Sequence, residues 1–200
     1  MIARSDLSDP DNLSRVAVPD LLSLPKSGKT AGPDHRIALY SMLTFLTPAA
    51  SVSTALIQST TSLLAKETHE GAIAVLAAAL PRHIIFLLRE GSLLSEITQL
   101  IAKEMGSAKP AVRRAFCGLA GSVFFQGQDV VETESGATFA KALLPSFESS
   151  LKTVSSNPLN SSGGPFEGYV AVATLLGPLA QSKKFGRAPG RLARCKHTYV

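Results

Sequence analysis

A chain of 200 residues is long enough for one domain with its own core, or for a short array of repeated units. It is 45% apolar but only 6% aromatic, without Trp, and rich in Ala, Leu and Ser, which suits closely packed helices better than a sheet. The formal charge of +5 sits at one end: Lys183, Lys184, Arg187, Arg191, Arg194 and Lys196 carry six positive charges with no acid among them. The remainder is therefore nearly neutral and offers no basic groove for nucleic acid.

Residues 1–33 form an N-terminal segment. Residues 1–8 are polar. Asp9 is placed to cap a short helix that starts at Pro10 and is limited or kinked by Pro19. Residues 25–33, PKSGKTAGP, read as a loop. The Ser27-Gly28-Lys29-Thr30 sequence invites comparison with a phosphate-binding loop. That motif needs a Gly five positions before Gly28, where Ser23 stands, and a strand feeding it, where Pro25 stands. No nucleotide or other cofactor is implied. MIARSDLSDPDN has no apolar stretch of signal-peptide length, and the longest apolar run, 72–80, is too short to span a bilayer. No membrane is expected.

From residue 34 to 182 the pattern is helical and repeats. Residues 92–125 hold two apolar-striped segments around a Gly-Ser-Ala-Lys-Pro elbow. Leu93, Leu94, Ile97, Leu100 and Ile101 share one face of the first; Val112, Ala115, Phe116, Leu119 and Val123 share one face of the second. Gly106 is expected to end the first helix in a left-handed conformation, and Pro110 to begin the second. Each helix is expected to cover the other, with Phe116 against Ile97 and Leu100. Counted from Val112, the second stripe falls at +3, +4, +7 and +11. The same offsets from Ile73 give Leu76, Ala77, Leu80 and Ile84; from His35, Ala38, Leu39, Met42 and Leu46; from Tyr169, Val172, Ala173, Leu176 and Ala180. The first stripe recurs at Leu56, Ile57, Thr60, Leu63 and Leu64, and at Leu143, Leu144, Phe147, Ser150 and Leu151.

These repeats define an all-α chain of tandem helical hairpins, a HEAT- or armadillo-like α-solenoid segment. First helices are expected near 51–66, 92–105 and 137–153; second helices near 35–46, 68–88, 109–125 and 165–181. Loops at 126–136 and 154–164 lengthen the last unit. Pro81 should kink the 68–88 helix, and Pro145 and Pro178 should act likewise. The apolar helix 166–180 has no charge between Glu167 and Lys183, so it should leave an open face. Residues 183–200 read as a disordered basic tail, suited to weak, sequence-independent RNA binding.

Reactive groups are sparse. Thr68-His69-Glu70-Gly71 would need a His at position 73 to make a zinc-protease motif, and Ile73 stands there. His83 has no acidic neighbour in sequence. Cys117 and Cys195 are too few for a disulfide framework or a zinc site, and Cys117 reads as a buried, reduced thiol. No catalytic, cofactor or metal site is expected. Arg113 and Arg114, at the start of a helix, are the candidate partner-facing residues; the plainer alternative is that they are solvated or pair with an acid on the adjacent repeat.

The segments DHRIALYSMLTFL (34–46), KPAVRRAFCGLAGSVFF (109–125) and FEGYVAVATLLGPLA (166–180) resemble the N-terminal HEAT region of the general-control translational activator family, over residues 34–186. KPAVRRAF followed by a Gly-containing helix is the most specific part. The resemblance implies a cytoplasmic, non-catalytic scaffold, part of a much longer ribosome-associated protein. That protein supports the initiation-factor-2α kinase during amino-acid starvation. By resemblance its partners are the ribosome and an ATP-binding-cassette protein. The family's kinase-contacting surface lies far C-terminal to this region and is not carried over. The stretch RAPGRLARCKHTYV departs from the helical pattern, as in a chain cut off within its repeats. Without the resemblance, the same residues read as a generic HEAT-repeat adaptor for transport or cytoskeletal proteins.

Overall fold

A computed structural model describes residues 32–156, and all regular structure in that span is helical. Its helices are α1 (Pro33–Leu43), α2 (Ala50–Lys66), α3 (Glu70–Ala79), α4 (Pro81–Arg89), α5 (Ser95–Glu104), α6 (Pro110–Gln126) and α7 (Glu134–Ser156), with a 3-10 turn at Gln128–Glu132 before α7. The expected helix at 165–181, the SGKT loop and the basic tail lie outside the described residues.

In one layer α1 packs on α3, and α3 with α4 packs on α6; in the other, α2 packs on α5 and α5 on α7, while α2 lies most extensively against α4 and joins the two layers. Neighbour-to-neighbour contact of this kind is the mark of a repeat array. The expectation that α5 and α6 chiefly cover each other is corrected. They do touch, but α6 lies mainly against α3 and α4, and α5 mainly against α7 and α2.

Prolines set the starts. Pro33, Pro81 and Pro110 each occupy the first turn of a helix, where the missing N–H costs nothing. Pro81 does more than kink its helix: α3 ends at Ala79, and Leu80 is shared as the boundary residue of α3 and α4. Pro145 stays within α7.

The glycine expectation fails at Gly106 and is met elsewhere. Gly91 is the described residue with a left-handed backbone, at φ 66°. There the Ser92 N–H donates to the Leu87 carbonyl (2.9 Å) and the Gly91 N–H to that of Leu88 (3.3 Å), closing α4 in a Schellman turn. At the end of α5, Met105 is fully buried and holds right-handed angles (φ −62°, ψ −24°). Keeping Met105 in the core carries the chain on in tight right-handed turns, and the Gly106 N–H bonds the Lys103 carbonyl at 3.0 Å.

The stripes mostly hold. Ile73, Leu76, Ala77, Leu80 and Ile84 are all buried, as are Val112, Phe116, Leu119 and Val123, with Ala115 half-buried. Leu56, Ile57 and Leu64 are buried, and Leu63 is half-buried. The polar member Thr60 is satisfied by donating to the Leu56 carbonyl at 2.5 Å. Three corrections stand beside these. First, α5 starts at Ser95, so Leu93 and Leu94 precede it and Leu94 is exposed. Second, the stretch after α6 is no plain loop, because the 3-10 turn buries Val130 and Val131. Third, α1 is turned about its axis. Tyr40 and Leu43 are buried, with Ile37 packed beside them, whereas Ala38 and Met42 are exposed, and Leu46 lies beyond the helix. The cause is Glu67, which draws Arg36 and Tyr40 of α1 towards the turn between α2 and α3.

Candidate partner-binding groove

Within the layer of α1, α3, α4 and α6, α3 and α6 leave a groove of about 530 Å³ between them. Small side chains make it. Ala74 and Ala78 of α3 face Ala111, Ala115, Gly118 and Ser122 of α6 across it. Spacings of three and four residues keep each set on one helical face, so neither helix raises a ridge to fill the space. Glu70 and Arg114 stand at its rim, 3.7 Å apart, with side chains 71% and 50% exposed.

Arg114 thus pairs with an acid on the adjacent hairpin while staying open to solvent. An exposed pair at that distance contributes little to stability. Arg113 points differently: its guanidinium donates to the Ser107 carbonyl at 2.7 Å, fastening the elbow between α5 and α6. The six basic residues from Lys183 to Lys196 lie outside the described residues, so their relation to the groove is not described. The sequence singles out Glu70 only within the Thr68-His69-Glu70-Gly71 motif, and it does not single out Ala74, Ala78 or Gly118. The spacing of small residues along each helix is the available signal, and it is shared with ordinary close helix packing.

Glu67 is bonded through both carboxylate oxygens. Its Oε1 accepts from the Thr68 and His69 amides (2.9 and 3.1 Å) and from Arg36 Nη2 (3.2 Å). Its Oε2 accepts from Arg36 Nε (3.0 Å) and from the Tyr40 hydroxyl (3.3 Å). Burial alone would raise its pKa; the two amides and the Arg36 guanidinium outweigh burial and lower it. Burial and the nearby Glu67 charge push Tyr40 up to about 12. The cluster is structural, joining α1 to the α2–α3 turn.

His69 and His83 are structural as well. The His69 side chain accepts from the Ala72 N–H at the start of α3 (3.4 Å), acting as an N-cap. His83 Nδ1 and Ser53 Oγ lie 3.0 Å apart, both residues fully buried. Burial, aided by the Arg82 charge and opposed by the Leu46 backbone, lowers the His83 pKa to about 4. A neutral imidazole beside a serine with neither an acid nor an opening to solvent has no substrate to act on. Among the described residues no group of three or more His, Cys, Asp or Glu could hold a metal. Cys117 is buried and in no disulfide, its thiol 3.8 Å from the Met105 carbonyl. By length and composition the Glu70–Arg89 stretch could cross a membrane, but 67% of it is buried, in the middle of the stack.

Helical hairpins stacked neighbour on neighbour, with a small-residue groove between second helices, define a helical-repeat segment. Residues 33–190 match the family model described as General control nonderepressible 1 (Gcn1) N-terminal, and the chain belongs to that family. No curated protein and no solved structure matches it.

Proposed function

We propose that this chain is a non-catalytic scaffold segment of a ribosome-associated translational activator in the cytoplasm, supporting activation of the initiation-factor-2α kinase when amino acids are scarce. The observation that carries the reading is the family match across residues 33–190, which takes in nearly the whole described helical array. In this reading the α3–α6 groove and Arg114 at its rim face a protein partner, the ribosome or an ATP-binding-cassette protein bound to it, and Arg113 supports that surface by holding the elbow. The basic residues from Lys183 to Lys196 add a weak, salt-sensitive attraction to ribosomal RNA.

Co-sedimentation tests this. The full chain should travel with ribosomes at physiological salt, and an Ala78→Trp substitution, which fills the groove, should reduce the bound fraction without loss of helix. If the chain stays at the top of the gradient, the ribosomal reading fails, and the generic adaptor for transport or cytoskeletal proteins takes its place. If binding persists unchanged in the filled variant, the groove is the wrong surface.

A further inference from the structure

We propose that residues 9–24 of this chain dock on the side of α1 turned away from α3, over Leu39, Met42 and Phe45. The proposal does not depend on the ribosomal reading. Its starting point is an apolar surface with no cover among the described elements. Phe45 is 83% and Met42 53% exposed, the first and third most exposed of the large hydrophobics in the described chain, and they stand three residues apart at the end of α1.

Helix α1 is apolar on two sides. Ile37, Tyr40 and Leu43 face the core. Met42 stands about 160° around the axis from Tyr40 at 100° per residue. The positions that are core in α3, α4 and α6 — the +3, +4, +7 and +11 set — are in α1 Ala38, Leu39, Met42 and Leu46, none of them fully buried. Within its layer α3 has a neighbour on each flank, α1 and α6, whereas α1 has α3 alone among the described helices. A helix striped for two neighbours and given one leaves a face to be filled.

The chain carries a segment suited to that face. Residues 9–24 read DPDNLSRVAVPDLLSL, with Asp9 and Pro10 as a helix start and Leu13, Val16, Ala17 and Leu21 as apolar positions. Reach is sufficient: α1 is about 16 Å long at 1.5 Å per residue, and the connection at 25–32 can extend to about 28 Å. A second copy of the chain is the weaker occupant. Two or three side chains present far less than the roughly 800 Å² per partner that a stable interface buries.

The absence of Trp from the chain supplies a clean reporter. Phe45→Trp in the full chain places the only indole on this face, at a site open enough to accept it. The expected result is a blue-shifted emission and acrylamide quenching several-fold weaker than for a free indole. Adding Leu13→Asp and Val16→Asp should restore free quenching while the helical circular dichroism of the array persists. Quenching like a free indole in the Phe45→Trp chain overturns the proposal with no second variant needed. Shielding that ignores the two aspartates, or that grows with protein concentration, overturns it as well and points to another occupant. Should the aspartates unfold the chain, Val16→Cys with Met42→Cys in a Cys195→Ser background decides: a monomeric disulfide supports docking, and its failure to form opposes it.

Discussion

Gly136→Ala and Gly118→Ala should shift stability in opposite directions, although both replace a helical glycine. Alanine gains about 1 kcal/mol over glycine in a helix from propensity alone. At Gly118 nothing lies within 4 Å of the added methyl, so that gain stands and the variant should be more stable by about 0.5–1 kcal/mol. At Gly136, in the first turn of α7, the methyl would run into the Val130 carbonyl oxygen and lie 2.7 Å from its side chain. That oxygen accepts from the Thr133 N–H (3.0 Å) and hydroxyl (2.7 Å), and the same hydroxyl caps the Gly136 N–H at 3.0 Å. Opening the contact by more than an ångström moves the 3-10 turn and its buried Val130 and Val131, or breaks the cap. Strain costs about 1–3 kcal/mol and the cap about 1 kcal/mol. Set against the propensity gain, the net is a loss of about 1–3 kcal/mol. Urea unfolding followed by helical circular dichroism measures both variants. A Gly136→Ala chain as stable as Gly118→Ala would refute the close approach of α7 to the 3-10 turn.

Phe116→Ala should lower stability by about 3–5 kcal/mol, because the ring is fully buried among α3, α4, α5 and α6; an unchanged urea midpoint would put the α6 register in error. Acid should weaken the fold through His83, whose pKa falls from 6.5 to about 4 on folding. Since the folded value is the lower one, the unfolded chain takes up the proton first. Stability is then full above pH 6.5 and is lost towards pH 4, by about 3 kcal/mol from this group. His83→Gln should flatten that slope, and Glu67, with its lowered pKa, should add its own loss only below 4.5. A chain ending at residue 182, without the six basic residues, should bind RNA more weakly and with a shallower salt dependence than the full chain; equal binding by filter assay would place the basic surface on the helices instead.

Residue spacing carried the core of α2, α3, α4 and α6, because a stripe buried by two neighbours is apolar at nearly every step, Thr60 being the buried polar member. It failed at α1 for a specific reason. Both of its sides are apolar, so Ala38, Leu39 and Met42 made as good a stripe as Ile37, Tyr40 and Leu43. The choice was settled by a polar side chain 27 residues from Tyr40, and Glu67 leaves no periodic trace. The groove was less legible still. Alanines that leave a space and alanines that fill one have the same spacing, and only the separation of α3 from α6 distinguishes them. Arg114 was visible as a candidate, but its partner Glu70 lies 44 positions away in a motif considered for metal chemistry.

The break at Pro81 also bears on how the chain leaves the ribosome. Before α1, α2 and α6 have closed over it, the Glu70–Arg89 stretch is a nascent 20-residue segment whose most apolar 18 residues have a mean hydropathy of 1.9, the kind of sequence that insertion machinery accepts. Pro81, Arg82 and His83 fall in its second half, well inside either end. An arginine near the centre of a span costs about 2.5–3.5 kcal/mol on insertion scales, and the proline interrupts the helix that insertion requires. In the finished fold the same residues are put to use: the Arg82 guanidinium holds the Thr44 carbonyl, and His83 meets Ser53. The proline that begins α4, with the arginine and histidine after it, also makes the segment a poor client for the membrane while it is being synthesised.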